Sequence, residues 1–186
     1  VWEALPQYRV LSYYPAPYPA GENEYRIPFF AKGGEPDLRL AALARAAEFA
    51  RVALNSNSTD IQFLQGWLLH DRFNLRGAFG APYEFLWANP YQPGLPYQKL
   101  GLYLHQPNGV LLARAHWDDD AEWVGMVDGA LQVFRDGRVG QPPKERLTVG
   151  ELAIVPTDGK ASFQVKEEAE SIWILTGLPP SSLVNV

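Results

Sequence analysis

Cysteine is missing from all 186 residues, and methionine occurs once. The first absence removes disulfides, thiol nucleophiles and thiolate-bound zinc together. It leaves the compartment open, because larger secreted domains fold without bridges. No apolar run reaches the roughly 18 residues that a membrane-spanning helix needs, so no membrane span is expected. No basic run offsets a formal net charge of −5, which argues against nucleic acid and anionic lipid as partners. The P-loop, the dinucleotide fingerprint, the nucleophile elbow and the HExxH metal motif are all lacking, and no cofactor is expected.

What is present points to a packed protein. Hydrophobic residues make up 47% and charged residues 20%, enough for a real core without staples. Aromatic residues reach 13% beside 16 prolines, a mixture that suits rigid packed loops and not disorder. The chain starts at Val1, which fits either a processed mature protein or a piece of a longer one.

Residues 1–35 read as an extended Pro/Tyr-rich arm, with strand-like runs at Tyr8–Tyr14 and Tyr25–Phe30. The PAPYPAG stretch between them favours a polyproline path that cannot bury itself. The arm is therefore expected to lie along another surface, anchored by Tyr13, Tyr14, Tyr18, Phe29 and Phe30.

Residues 36–76 read as an αα-hairpin. Pro36 and Asp37 suit a first helical turn, and Leu40, Leu43, Ala47, Ala50 and Leu54 form one apolar stripe expected to face a core. Arg45, Glu48 and Arg51 are assigned to a solvated face. A second helix starts at Thr59, with Gln62 three residues on as in a capping box, and carries Ile61, Leu64, Leu68 and Leu75. Two stripes this wide need a third layer, from this chain's sheet or from another polypeptide.

Residues 77–99 form an aromatic and proline-rich junction, with a short helical stretch at Pro82–Ala88 stopped by Asn89-Pro90. From Leu100 the period changes to two. Strands are predicted over 100–105, 109–116, 122–128, 130–135, 147–155, 161–166 and 170–177, with turns at Asn108-Gly109, Asp128-Gly129, Asp136-Gly137 and Asp158-Gly159. The expected class is α+β: an N-terminal αα-hairpin packed on a C-terminal antiparallel β-sandwich or large curved sheet (residues 100–186).

Candidate chemistry is sparse. His70 sits near a helix C-terminus, where capping explains it; as a catalytic candidate it would serve as general acid or base. His105 and His116 flank a hairpin across which they could pair, and Asp118 and Asp120 lie in an acidic turn with Asp119. These four are the metal candidates, yet the spaced calcium loop is missing and a solvated turn is the favoured reading, so no metal is expected. Tyr83, Trp87, Tyr91, Tyr97 and Trp117 are the candidate ligand-binding residues, as a stacking platform for sugars.

The stretch GLYLHQPNGVLLARAHWDDDAEWVGMVDG, and Leu111–Val127 within it, resembles the passage from helical toroid to β-sandwich in heparinase II/III-like polysaccharide lyases. No histidine-rich strand follows it here, and no catalytic residue is carried over. The resemblance implies a C-terminal or accessory portion of a larger carbohydrate-active protein, extracellular or periplasmic, possessing a missing upstream domain and contacting polysaccharide. An alternative reading is a non-enzymatic structural subunit that docks on a protein partner through its Pro/Tyr-rich arm and helical face.

Overall fold

The computed structural model describes residues 4–20, 23–29, 38–55, 57–71, 81–89, 91–106, 109–127, 130–140, 146–156 and 172–176. The class is mixed α+β, with the helices first and most strands after them.

The first helix, α1 (Leu5–Leu11), replaces the strand expected from Tyr8. Pro6 fits its first turn, where no N–H is needed, and the helical turn brings Val10 and Leu11 inward together. After α1 the chain runs extended: Tyr14 N donates to Ile27 O at 3.1 Å and Phe29 N to Ser12 O at 2.7 Å. Instead of a polyproline path, Tyr18–Ala20 (β1) pairs antiparallel with Asn23–Tyr25 (β2). The arm thus folds back on itself and docks on its own chain. Tyr13, Tyr14 and Phe29 are buried in that packing, so these three anchors are not open to a partner. The side chains of Tyr18 and Phe30 lie outside the described residues.

Two long helices follow, α2 (Leu38–Leu54) and α3 (Thr59–Asp71), in contact with each other. A short helix, α4 (Ala81–Trp87), packs on α2. The loop after α4 is fixed to α3 by a close backbone approach. Leu95 N donates to Gln62 O at 2.8 Å, and a Cβ on Gly66 would stand 1.8 Å from Leu95 O. Only glycine at 66 admits this contact.

The main sheet is a five-stranded antiparallel meander of β3 (Tyr103–Gln106), β4 (Val110–Arg114), β5 (Trp123–Val127), β6 (Ala130–Arg135) and β7 (Arg138–Gly140). Its period-two alternation feeds two cores. Leu104, Leu112, Trp123 and Phe134 share one with Leu11, Tyr14, Ile27 and Phe29 of the arm. Leu111, Ala113, Val124 and Val133 share the other with Leu147, Val149, Leu152 and Ile154. Trp123 fills the space over Gly125 and donates Nε1–H to Leu11 O at 2.7 Å. Asp136 and Gly137 both take positive φ between Arg135 and Arg138, the two-residue hairpin that the Asp-Gly pair predicts.

A three-stranded sheet contains β8 (Leu147–Val149), β9 (Leu152–Pro156) and β10 (Ile172–Thr176). The single strand expected over 147–155 is broken at Gly150, whose φ is 59°. Strand β10 pairs with β9 in parallel, which departs from the all-antiparallel expectation. A parallel return needs a crossover of about a dozen residues. The strand predicted over 161–166 and the Asp158-Gly159 turn lie outside the described residues.

Candidate functional site

The helical pair inverts the assignment of α2. Arg45 and Glu48, expected in solvent, are 1% and 2% exposed. Leu40, Leu43 and Leu54, expected in a core, are 49%, 45% and 88% exposed. Ala41, Arg45, Glu48 and Val52 form the buried stripe. Each lies one to five places beyond a residue of the leucine stripe; the five-place pairs are separated by about 140° around the helix at 3.6 residues per turn. Both stripes have the spacing of a packing seam, so periodicity alone selects neither.

The charges are buried because partners from four segments meet them. Tyr13 donates its hydroxyl to Glu48 Oε1 at 2.7 Å, and Arg45 Nη1 reaches Glu48 Oε2 at 3.3 Å. Arg45 Nη2 pairs with Asp71 Oδ2 at the end of α3. Arg26 Nη1 takes Asp71 Oδ1 at 3.2 Å, and Arg26 Nη2 pairs with Asp119 of the turn between β4 and β5. Arg26 Nε donates to Pro15 O at 2.9 Å. Glu48, Arg45, Asp71, Arg26 and Asp119 form an alternating chain of charge, dry at Arg45 and open to solvent at Asp119.

Aromatic faces support both cations. Arg26 lies 5.6 Å and Arg45 5.8 Å from the Trp67 ring centroid, and Arg45 also lies 4.8 Å from that of Tyr13. Burial pushes the Glu48 carboxyl above its ordinary range, against the opposing pull of Arg45 and Tyr13. Burial likewise raises the Tyr13 hydroxyl. The network ties the arm, both long helices and the sheet's turn into one body; among the described residues it presents no nucleophile to solvent.

The predicted site residues separate. Tyr97 is 4% exposed and belongs to the core, its ring 5.2 Å from both Trp67 and Trp117. Trp117 is half-buried, with Arg114 4.7 Å from its centroid. Trp87 packs partly against the Trp67 core, whereas Tyr91 is exposed. The Tyr83 side chain lies outside the described residues. His70 is exposed at the end of α3, 5.2 Å ring to ring from Tyr97.

His105 and His116 do not pair. His105 faces Leu111 in the register, and His116 lies five residues further on, about 16 Å at the rise of a strand. His116 instead meets Asp118 at 3.6 Å and Asp120 at 3.9 Å from Nδ1, and one ligand atom from each residue lies within 4.8 Å of the others. Arg114 holds this turn from inside, donating Nε–H to His116 O at 2.6 Å and Nη2–H to Asp118 O at 3.2 Å. Burial lowers the Arg114 pKa to about 10, still charged at neutral pH. The donors suit a cation, yet all three are exposed and ordinary imidazole–carboxylate pairing accounts for them.

Sequence reading missed Arg26, Arg45, Glu48 and Asp71 as a unit. Only the i,i+3 spacing of Arg45 and Glu48 hinted at it, and the same spacing marks any solvated helix face. No helix among the described residues is long and apolar enough to cross a membrane. Comparison of the chain with protein-family models, curated proteins and solved structures gives no match.

Proposed function

We propose that this chain is a non-self-sufficient portion of a larger assembly and works by docking through its helical face. The observation that carries this is the exposure of Leu40, Leu43 and Leu54 on α2 and of Phe85 and Leu86 on α4, the short helix that contacts α2. Large apolar side chains exposed together mark interaction sites on soluble proteins. The inner face of α2 is already committed to the charge network, so rotating the helix cannot hide the leucines. The reading includes the finer architecture, an αα-hairpin seated on a β-sandwich, with further polypeptide completing the helical layer. A photocrosslinking residue at position 43 or 85, incorporated in the native source, is expected to give one discrete adduct. The same residue at Arg138, exposed on β7, is expected to give none. Equal labelling from all three positions, or no adduct from 43 and 85, refutes the docking role.

A second reading keeps the carbohydrate-active parent implied by the lyase-like stretch Leu111–Val127. Exposed Tyr91 and half-buried Trp87 and Trp117 favour it, since aromatic faces stack on sugar rings. Retardation in affinity electrophoresis through acidic polysaccharide, abolished by Tyr91→Ala, is its expected result. Unretarded migration through acidic and neutral polysaccharides alike removes it. A polysaccharide-lyase role for His70 would further require turnover that His70→Ala abolishes.

A further inference from the structure

We infer that Arg114 and Tyr97, with Trp117 and His70 beside them, form a binding site for the carboxylate of a small ring-bearing acid. None of these residues lies on α2 or α4, the helices of the docking face, so the site and the docking role stand or fall separately.

Arg114 is the anomaly. It is 2% exposed, yet it makes no ion pair with any described residue. A buried cation ordinarily faces a carboxylate, because an uncompensated charge is costly to take out of water. Arg114 bonds instead to two carbonyls, that of His116 through Nε and that of Asp118 through Nη2. The carboxylates of Asp119 and Asp118 act on it from a distance only. Asp119 pairs with Arg26, and Asp118 stands 3.6 Å from His116 with its side chain 87% exposed. Nη1 is left over, bonded to no described residue.

Tyr97 supplies a second uncommitted donor. Its ring is held by three others, 5.2 Å centroid to centroid from each of Trp67, His70 and Trp117. Its hydroxyl bonds to no described residue, and the charges of Arg26 and Arg114 both bear on it. The half-buried Trp117 ring joins the two donors, touching Tyr97 and carrying the Arg114 guanidinium 4.7 Å from its centroid. Neither Nη1 nor the hydroxyl is among the unbonded polar atoms sealed from solvent, so a solute can reach both.

This chemistry selects the ligand. One free guanidinium nitrogen and one phenol O–H match the two oxygens of a carboxylate. Arg26 already has Asp71 and Asp119, so Arg114 alone lacks a partner and calls for a single negative charge. The half-buried indole and the exposed His70 imidazole offer faces for a ring attached to that carboxylate. A sugar acid and an aryl acid both carry these groups.

The whole chain is titrated with sodium glucuronate and sodium benzoate, and with glucose, benzyl alcohol and inorganic phosphate beside them. Binding is read from the Trp117 indole N–H resonance, assigned through Trp117→Phe. At least one of the two acids is expected to give a saturable shift that its neutral counterpart does not. Tyr97→Phe should weaken that binding about tenfold, the worth of one hydrogen bond to a charged group. It should leave the melting temperature of the free chain unchanged, because the hydroxyl holds nothing in place. Arg114→Gln should abolish binding; if it unfolds the β4–β5 turn, Tyr97→Phe decides alone. Saturation by glucuronate only supports the site and makes the ligand a sugar acid, and saturation by benzoate only supports it and makes the ligand an aryl acid. Binding of neither acid, equal binding of the neutral counterparts, tighter binding of phosphate than of both acids, or affinity untouched by Tyr97→Phe overturns the inference.

Discussion

Replacing Asp71 with asparagine removes one charge and almost no volume, and it isolates the buried network better than any other substitution. The carboxylate is 2% exposed and joins Arg26 and Arg45, whose own side chains are 11% and 2% exposed. Both guanidiniums lie within 6 Å of the centroid of one indole ring, so they are roughly 11 Å apart at most. At an effective dielectric of about 20, two like charges at that limit repel by about 1.5 kcal/mol. The lost attraction and the stranded positive charge add to this, and breaking a buried pair costs about 3–5 kcal/mol in general. Glu48 and Asp119 still offset part of it, which places Asp71→Asn near 3 kcal/mol, a fall in Tm of roughly 6–12 °C for a chain of this size. Urea unfolding followed by tryptophan fluorescence measures it, and Trp67 beneath both arginines reports the site directly. A loss below about 1 kcal/mol, the level of an exposed ion pair, refutes the claim that this network is dry.

Other expectations follow from the same contacts. Because burial raises the Glu48 pKa, the folded state prefers its protonated form: its contribution is fullest below the ordinary carboxylate pKa and is lost as pH rises through the raised folded value. Glu48→Gln should therefore gain stability relative to the parent chain as pH rises through that window in thermal melts, and a gain in the opposite direction contradicts the burial. Tyr14, buried and donating to Gln132 Oε1 at 2.9 Å, has its pKa raised to about 12. Its contribution is present below pH 10 and lost between about 10 and 12, so Tyr14→Phe should flatten stability across that interval in alkaline melts. Gly66→Ala drives a methyl group into Leu95 O; a loss of about 1–3 kcal/mol is expected from such overpacking, measured by denaturant unfolding, and an unchanged midpoint would falsify the close approach.

The fold was legible where one physical signal acted alone. Asp136-Gly137 forms its hairpin because two successive positive φ values admit few other residues, and the alternation of β4 and β5 survives because each sheet face meets its own apolar core. The start of α3 at Thr59 was likewise written in local chemistry. Local patterns failed where distant residues decide. Nothing around Arg45 announces Asp71 or Arg26, which lie far away along the chain and make its burial tolerable. Without those partners, helical periodicity points the leucine stripe of α2 inward and the charges outward. The Tyr8–Tyr14 run misled for a related reason: its aromatics suit a strand, but the segment is helical to Leu11, with Val10 and Leu11 buried in two different clusters. Tyr97 sits in turn chemistry that suggests exposure, yet Trp67 and Trp117 enclose it.

The inverted helix can be tested in one measurement, because the chain contains no cysteine of its own. Single substitutions Leu43→Cys and Arg138→Cys are labelled with a thiol reagent, first in the purified chain and then in the proposed assembly, taken from the native source. Cysteine at 43 is expected to react rapidly in the purified chain and to be protected in the assembly, while cysteine at 138 reacts equally in both. Slow labelling of 43 in the purified chain, or equal labelling in the two states, contradicts an outward leucine face that another polypeptide covers.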